Sequence, residues 1–394
     1  MSRLRLVTAG ESHGPGLSAI LSGMPAGLTI DFELLTRELK RRQHGYGRGP
    51  RMKIESDRVE FRGGVRGGTT LGSPISMWIE NRDYRNWDRV MNPIENDPGP
   101  VEKRRLYSPR PGHADLAGGL KYLSSDLRNV LERASARESA ARVAAGAIAK
   151  ALLAHFDIEI RSGVRSLGPL GAHRATPSWQ DLLAIDDGSP LRAIDRDLEP
   201  EMVALIDSAK QDGDTLGGSF TVIAHNVPAG LGSHVQWDEK LDGRLARAVM
   251  SVPAVKAVEI GAAVDASTRP GSGAHDHIEW NDASGWTRPS NHAGGLEGGI
   301  TNGEDVVVTG YKKPISTLLK GLPSVDIDSR QPHRSQYERS DVTALPAAGV
   351  IAESMVALVL ADALLSKIGG DSMREVEAHW RATSSQQQAW PETP

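Results

Sequence analysis

The sequence predicts an α+β fold, a β-α-β sandwich in which one structural unit occurs twice. Residues 10–28 read GESHGPGLSAILSGMPAGL, and residues 213–231 read GDTLGGSFTVIAHNVPAGL, which aligns with them without a gap at an offset of 203 residues. The same offset pairs the Ala-Ala-Gly triplets at 144–146 and 347–349. Several matches at one offset indicate an internal duplication and therefore a pseudo-twofold axis.

Each copy begins with strand-like sequence that ends at a Pro-Ala-Gly-Leu turn. LSAIL in the first copy is short and apolar, and FTVIA in the second is rich in β-branched residues. An amphipathic helix follows, with Asp31 as its N-cap in the first copy and Asp238 near its start in the second. Alanine-rich helices are predicted at about 124–155 and 345–368, and their apolar residues occupy more than one face. Such helices are buried, which places them between two sheet layers.

Three segments lie outside this pattern. Residues 82–112 are rich in Arg, Asp, Pro and Asn and show no periodicity, which is typical of a loop that covers a site. Residues 264–293 form a second loop of this kind. Residues 382–394 contain Ser-Ser-Gln-Gln-Gln and are predicted to be a flexible tail.

The composition is that of a globular protein, with 394 residues, 39% hydrophobic and 24% charged. We predict a single domain over residues 1–381, with pseudo-repeats at about 3–160 and 206–368. There is no cysteine, which excludes disulfides and thiolate sites. The net charge of −4 argues against a nucleic-acid partner. Neither a membrane-spanning apolar run nor a secretory segment is expected, so we predict a cytoplasmic protein without a membrane partner.

Two histidines stand in bends made of glycine and proline, His13 in GESHG and His113 in RPGHAD. Histidine is the side chain whose free pKa lies nearest neutrality, so this pair suggests a proton-transfer site. Two loop histidines with structural hydrogen bonds are the alternative interpretation.

Basic residues lie among glycines in RRQHGYGRGPR, at 41–51, and again at 103–105. Runs of charge are usually solvated surface, but glycine allows close backbone approach and guanidinium groups grip phosphate or carboxylate bidentately. A small acidic substrate fits this pattern better than a polymer. The glycine-rich run at 294–303 implies close approach to a ligand or to another chain.

Other chemical interpretations stay open at this point. GESHG also fits the G-x-S-x-G motif of serine hydrolases, with Ser12 and His13, although the residues that follow predict a strand. His275-Asp276-His277 suggests a metal, but the ligands would share one loop without a carboxylate at helical spacing, so we predict no metal. A non-catalytic anion-binding protein is a third alternative.

The motifs GESHG, RPGHAD, RASARE, GGLEGGITNG, KPIST and RSD occur in this order over about residues 3–370. Together they resemble the chorismate synthase family, and RRQHGYGRGPRM resembles its actinobacterial form. This resemblance implies a lyase of the shikimate pathway that converts 5-enolpyruvylshikimate 3-phosphate to chorismate by anti-1,4 elimination of phosphate. It implies reduced FMN as cofactor, NADPH as a reductant, and a homotetramer. Because no additional reductase domain is visible, a separate flavin reductase is an expected partner.

The resemblance also implies roles for individual residues. His13 would protonate the departing phosphate, His113 would keep the reduced flavin in its protonation state, and Asp341 would assist removal of the C6 proton through the flavin N5. Arg42 and Arg48 would bind the substrate phosphate or carboxylate, or NADPH. The implied FMN contacts are Arg133, Ala134, Ser135, Pro253, Ala254, Gly299, Lys313, Pro314, Ile315, Ser316, Thr317 and Arg339.

The duplication predicts that the chemistry is one-sided. At the offset of 203 residues, Leu216 is the counterpart of His13 and Ser316 is the counterpart of His113. The second copy therefore lacks both imidazoles and is expected to contribute the flavin segment around Ser316. Pro253 stands where other family members have Gln, and proline has neither a side-chain amide nor an N–H to offer.

Overall fold

The protein is described by a computed structural model that covers residues 3–49, 57–95, 97–171, 175–186, 188–282 and 285–390. The strands are β1 (Arg5–Ala9), β2 (Gly16–Ser22), β3 (Val59–Gly63), β4 (Val65–Arg66), β5 (Thr69–Thr70), β6 (Ile75–Glu80), β7 (Glu159–Leu167), β8 (Gly218–His225), β9 (Val255–Ile260), β10 (Glu279–Asn281), β11 (Gly285–Thr287), β12 (Leu296–Glu297), β13 (Ile300–Thr301), β14 (Val306–Lys312), β15 (Pro323–Val325) and β16 (Pro332–Arg334). The helices are α1 (Phe32–Gln43), α2 (Asp88–Met91), α3 (Pro98–Arg104), α4 (Asp115–Tyr122), α5 (Arg128–Ala134), α6 (Ser139–Ala154), α7 (Trp179–Leu183), α8 (Glu199–Gln211), α9 (Leu241–Met250), α10 (Ala263–Ala266), α11 (Gly271–Ala274), α12 (Leu345–Ile368) and α13 (Met373–Ala389).

Two four-stranded antiparallel sheets enclose a layer of helices. Their strand orders are β1-β2-β6-β3 and β7-β8-β14-β9. Between them, α6 packs against β2 and β6, α12 packs against β7 and β8, and the two helices pack against each other. The main hydrophobic cluster draws side chains from both sheets and from these helices. The predicted α+β sandwich is therefore confirmed.

The two sheets have the same connectivity, and one turn shows the repeat in detail. Thr70 Oγ1 donates to the carbonyl of Pro25 (2.7 Å), and Thr301 Oγ1 donates to the carbonyl of Pro228 (2.6 Å). The prolines keep the predicted offset, whereas the threonines are further apart because α10, α11, β10 and β11 are inserted after β9. The position of β1 is taken in the second sheet by β7, so this copy begins earlier than the predicted boundary near residue 206.

The buried helices follow the prediction in part. α12 occupies the predicted residues 345–368, but the predicted helix over 124–155 is divided into α5, a 3-10 turn at Ala136–Glu138, and α6. Ser135 causes the break because its backbone is extended and its Oγ accepts from the N–H of Arg137 (3.3 Å). Asp31 caps α1 as predicted, whereas α9 begins after Lys240, so Asp238 is not its cap.

Two long helices, α12 and α13, form the C-terminal part. α12 is long and apolar enough to cross a membrane by length and composition, although 89% of its most apolar window is buried within the fold. The predicted tail over 382–394 is helical as far as Ala389, and residues 391–394 lie outside the described residues. A capping box between Ser372 and Glu375 starts α13, and Gln387 Nε2 donates to the carbonyl of Ala229 (3.0 Å).

Gly146 lies where α6 crosses α12. A Cβ atom at this position would overlap the Ser354 side chain and stand 2.6 Å from the Ser354 Cα. We expect Gly146→Ala to lower the free energy of unfolding by about 1–3 kcal/mol, because the helices must move apart. Gly243 in α9 is the matched control, since no atom lies within 4 Å of its ideal Cβ. In urea unfolding Gly243→Ala should be neutral or stabilising by up to about 1 kcal/mol. Equal stability of both variants would contradict close packing at Gly146.

Candidate active site

A cavity of about 1120 Å³ collects residues from both copies. Ligand pockets typically measure about 300–1,000 Å³, so this one has room for a cofactor and a small substrate together. The predicted site residues in its wall are His13, Arg42, Arg48, His113, Arg133, Ala134, Ser135, Pro253, Ala254, Lys313, Ile315, Ser316, Thr317, Arg339 and Asp341. Gly299 and Pro314 are not part of this wall. Gly299 lies at the β12–β13 turn, where its carbonyl accepts from the N–H of Leu241 (2.9 Å).

His13 is held by a buried carboxylate. It lies in the loop between β1 and β2, which needs glycine at position 10, where φ is +107° and a Cβ would overlap the carbonyl of Gly16. The backbone N–H of His13 donates to Glu132 Oε2 (2.7 Å), and its Nδ1 lies 2.9 Å from Oε1. Burial by itself raises the pKa of Glu132, but the bonds from His13 and the charge of Arg128 lower it. An ionised carboxylate favours a proton on Nδ1.

Trp87 covers one face of the His13 ring. The ring centroids are 4.0 Å apart and the planes are inclined by 27°. The guanidinium groups of Arg104 and Arg128 lie 4.5 and 5.2 Å from the Trp87 ring centroid. Trp87 belongs to the segment 82–112, which contains α2, α3 and a 3-10 turn at Arg82–Asn86 instead of the predicted irregular loop. This segment therefore contributes to the wall of the cavity around the imidazole.

His113 has the same kind of partner. Its Nδ1 lies 2.6 Å from Asp115 Oδ1, and Asp115 also accepts from Arg110 Nε (2.8 Å). Burial raises the pKa of Asp115, but the bonds from His113 and Arg110 lower it below its ordinary range. Arg110 Nη1 in turn donates to Thr317 Oγ1 (2.9 Å). Both histidines thus place Nδ1 against an ionised, buried carboxylate, and the Nδ1 of His113 also lies 3.0 Å from Arg110 Nη2.

The arginine-rich segment folds back onto Asp341. The N–H of Gly49 donates to Asp341 Oδ1 (2.6 Å), and Arg48 Nε lies 3.2 Å from Oδ2. Arg42 is more enclosed, since its Nη2 donates to Asp57 Oδ2 (2.7 Å). Arg48 therefore forms an ion pair with Asp341, another predicted site residue, whereas Arg42 is bound by a different carboxylate, that of Asp57.

The second copy contacts the His113 loop directly. Ser316 Oγ and the ammonium of Lys313 both donate to the carbonyl of Gly112. Leu216, the counterpart of His13, is not in the cavity wall, and its N–H donates to the carbonyl of Val342 (2.9 Å). In the described residues the two imidazoles and the Lys313–Thr317 segment therefore share one cavity.

Three residues of the site were not predicted as such. Glu132 and Asp115 are buried carboxylates on short helices that also carry basic residues, so the sequence does not single them out. Trp87 carries no signal either, because the surrounding sequence has no periodicity.

The geometry argues against the hydrolase alternative. Residues 10–15 connect two antiparallel strands, whereas the hydrolase elbow is a turn from a strand into a helix. In the histidine-containing loop, Asp276 accepts from Ser290 Oγ (2.6 Å) and from the N–H of His292 (2.8 Å). The Asp276 carboxylate is therefore used for hydrogen bonds within its own loop.

Comparisons with known proteins agree with the motif resemblance. The family model described as chorismate synthase matches residues 4–365. The chorismate synthase of Brevibacillus brevis is 51% identical over 378 residues, which are 96% of this chain and 98% of that protein. The chorismate synthase of Geobacter sulfurreducens is 52% identical over 384 residues, 96% of this chain and 97% of that protein. A crystal structure of chorismate synthase matches 99% of this chain and 100% of its own, with a TM-score of 0.79 and 41% identity. The resemblance to the actinobacterial form stays a prediction.

Proposed function

The chain belongs to the chorismate synthase family and is a lyase of aromatic biosynthesis, and we propose that it converts 5-enolpyruvylshikimate 3-phosphate to chorismate by anti-1,4 elimination of phosphate. One observation carries this proposal. A single cavity contains two imidazoles on buried carboxylates together with the Arg48–Asp341 pair.

The charge of the cavity suits this substrate, which carries one phosphate and two carboxylates. Lysine and arginine side chains in the wall outnumber the acidic ones, which are Glu138, Glu338 and Asp341. Such an excess of positive charge attracts a multiply charged anion and favours departure of phosphate. Arg48 would bind an oxyanion of the substrate through its guanidinium group.

The two histidines would serve different protons. His13 would protonate the departing phosphate from Nε2, and Glu132 provides the counter-charge while the ring carries both protons. His113 would hold a proton at the cofactor. Asp115 would provide the counter-charge while the His113 ring carries both protons. The stacked Trp87 keeps the His13 ring in one orientation, which fixes the direction of its proton transfer.

The same wall fits reduced FMN. Arg133, Lys313 and Arg339 would supply cations for its phosphate, while hydroxyl groups and apolar side chains such as Ile315 would suit the rest of the molecule. When bound, reduced FMN would supply an electron-rich ring and an acceptor for the C6 proton, although the reaction has no net redox change. Asp341 would assist that proton removal and is itself held by Arg48 and by the Gly49 N–H.

We also propose NADPH as the reductant, a separate flavin reductase, and a homotetramer in the cytoplasm. These proposals rest on the family resemblance. Light scattering on the purified protein tests the oligomeric state, and reduction of FMN with NADPH in the presence and absence of a reductase tests the electron source.

The proposed function is tested by anaerobic phosphate release from 5-enolpyruvylshikimate 3-phosphate. We expect release with reduced FMN and none with oxidised FMN or without flavin. Release without flavin would identify a phosphate-ester hydrolase. Ligand binding without turnover under any of these conditions would identify an anion-binding protein.

Arg48→Ala is expected to raise the substrate KM about 10- to 100-fold. The lost interaction is a charge-assisted hydrogen bond, which is worth about 1.5–3 kcal/mol. FMN affinity measured without substrate should change little. The matched control is Arg62→Ala, whose guanidinium forms an exposed pair with Glu60 and should have no effect on KM. A collapse of FMN binding in Arg48→Ala would instead assign this arginine to the cofactor site.

A further inference from the structure

Lys312 is a buried lysine in the wall of the cavity. It is the last residue of β14 and part of the cavity wall, and the residue is only 7% exposed. Its Nζ has no hydrogen-bond partner among the residues that the structure describes. Lys150 is equally buried, but its ammonium bonds to Glu38 and Glu353. A buried ammonium is normally paired, so an anion is expected at Lys312 that the described residues do not provide.

The position of Lys312 follows from the strand. Val306 and Val308 of β14 belong to the main hydrophobic cluster, and the period of two places Lys312 on the same inward face. The pairing of β14 with β9 shifts register between Tyr311 and Lys312. The extra residue of this shift is Lys256 of β9, whereas β14 pairs with β8 without a shift through Lys312 and Gly218, so its period of two is kept. The lysine is therefore built into the inner face of the sheet where the sheet meets the cavity.

The charges around Lys312 are mostly positive. Burial is the main reason that its pKa is lowered to about 8, and the charges of Arg48 and Lys313 lower it further. Asp341 opposes this shift, but Asp341 already forms an ion pair with Arg48 and accepts a hydrogen bond from the Gly49 N–H. The charges that act on Lys312 are therefore two cations and one carboxylate, so the positive charge in this part of the cavity wall is in excess.

We propose that Lys312 is an anion-binding residue of the active site, whose ammonium pairs with a phosphate or carboxylate oxygen of the bound substrate or cofactor. This inference rests on the proposed function, because that function supplies the anions. It extends the set of substrate and cofactor contacts beyond Lys313–Thr317 to the end of β14.

The test replaces Lys312 by methionine, which has a similar length and no charge. Because an unpaired buried charge is removed, Lys312→Met without ligands should have a higher Tm than the wild type. Its affinity should fall at least tenfold for one of two ligands. The first is oxidised FMN, measured by fluorescence quenching, and the second is 5-enolpyruvylshikimate 3-phosphate, measured by calorimetry with oxidised FMN present. Loss in the first arm identifies the cofactor phosphate, and loss in the second alone identifies the substrate.

The pH dependence gives a second readout. Only the protonated lysine binds an anion, so wild-type affinity should decrease as pH rises through about 8, and this decrease should be absent in Lys312→Met. Lys312→Gln should behave like Lys312→Met and guards against an effect of methionine itself. Lys150→Met is the matched control, since it removes a paired lysine. It should lower Tm and leave both affinities unchanged.

A Lys312→Met protein with a lower Tm, or with both affinities unchanged, overturns the inference and assigns the lysine a structural role. Either result leaves the proposed function standing if the wild type releases phosphate. If the wild type releases none, the proposed function fails, and the FMN arm still decides whether Lys312 binds an anion.

Discussion

Replacing His13 or His113 by alanine is expected to lower turnover by about two to four orders of magnitude, the usual range for a lost general acid or base. Each imidazole is fixed by a carboxylate on Nδ1, so truncation removes a proton donor that water cannot replace in the same position. FMN and substrate should still bind, because the basic residues of the wall remain. Turnover is measured as anaerobic phosphate release with reduced FMN, and binding is measured separately by fluorescence and calorimetry.

His155→Ala is the control for both variants. His155 is a half-exposed histidine that also contacts a carboxylate, Glu377, at 2.9 Å, but it lies outside the cavity wall. Its replacement should leave turnover unchanged. If either His13→Ala or His113→Ala keeps near-wild-type turnover, that histidine has no part in proton transfer.

The loops that carry these histidines were predictable because each needs a backbone conformation that only certain residues, such as glycine, adopt easily. Gly10 and Gly112 both have positive φ angles, which glycine tolerates and which keep the following histidines out of helices and strands. The repeated Pro-Ala-Gly-Leu turn was equally visible, since Pro25 and Pro228 keep the same threonine bond in both copies. Where two copies share a local requirement, the sequence retains the same residues.

The partners of the histidines could not be predicted in the same way. Glu132 and Trp87 reach His13 from segments far along the chain, and the contacts depend on how the helices pack. The equivalence of β7 with β1 was also hidden, because α7 and α8 separate β7 from the rest of its copy. The burial of Lys312 could not be predicted for a related reason. A lysine at the end of an apolar strand is usually exposed, and only the tertiary structure shows it to be buried.

Glu353 lies at the centre of a buried ion network that joins the two copies. It is on α12 of the second copy and accepts from Arg41 of α1 through both guanidinium ends, each at 2.8 Å. It also accepts from Lys150 of α6 and from Ser162 Oγ of β7 (2.5 Å). Glu353 is fully buried, so each of these charges depends on the others for compensation.

The pKa of Glu353 determines how this network responds to pH. Burial by itself raises the pKa, but the charges of Arg41 and Lys150 lower it below the ordinary value of 4.5. A carboxylate whose pKa is lowered on folding stabilises the folded state above its unfolded pKa. The contribution of Glu353 is therefore fully present at neutral pH and decreases as pH falls below about 4.5.

Glu353→Gln is expected to lower the free energy of unfolding by about 3–5 kcal/mol at pH 7, because Arg41 and Lys150 stay buried with less negative charge to offset them. Urea unfolding measures the change, and the loss of stability below pH 4.5 should be smaller in the variant. Adding Lys150→Met to Glu353→Gln should recover part of the stability, since the uncompensated ammonium is then removed. The exposed Glu377→Gln is the control and should change stability by less than about 0.5 kcal/mol. A Glu353→Gln protein as stable as the wild type would mean that the attraction within the network only balances the desolvation of its charges.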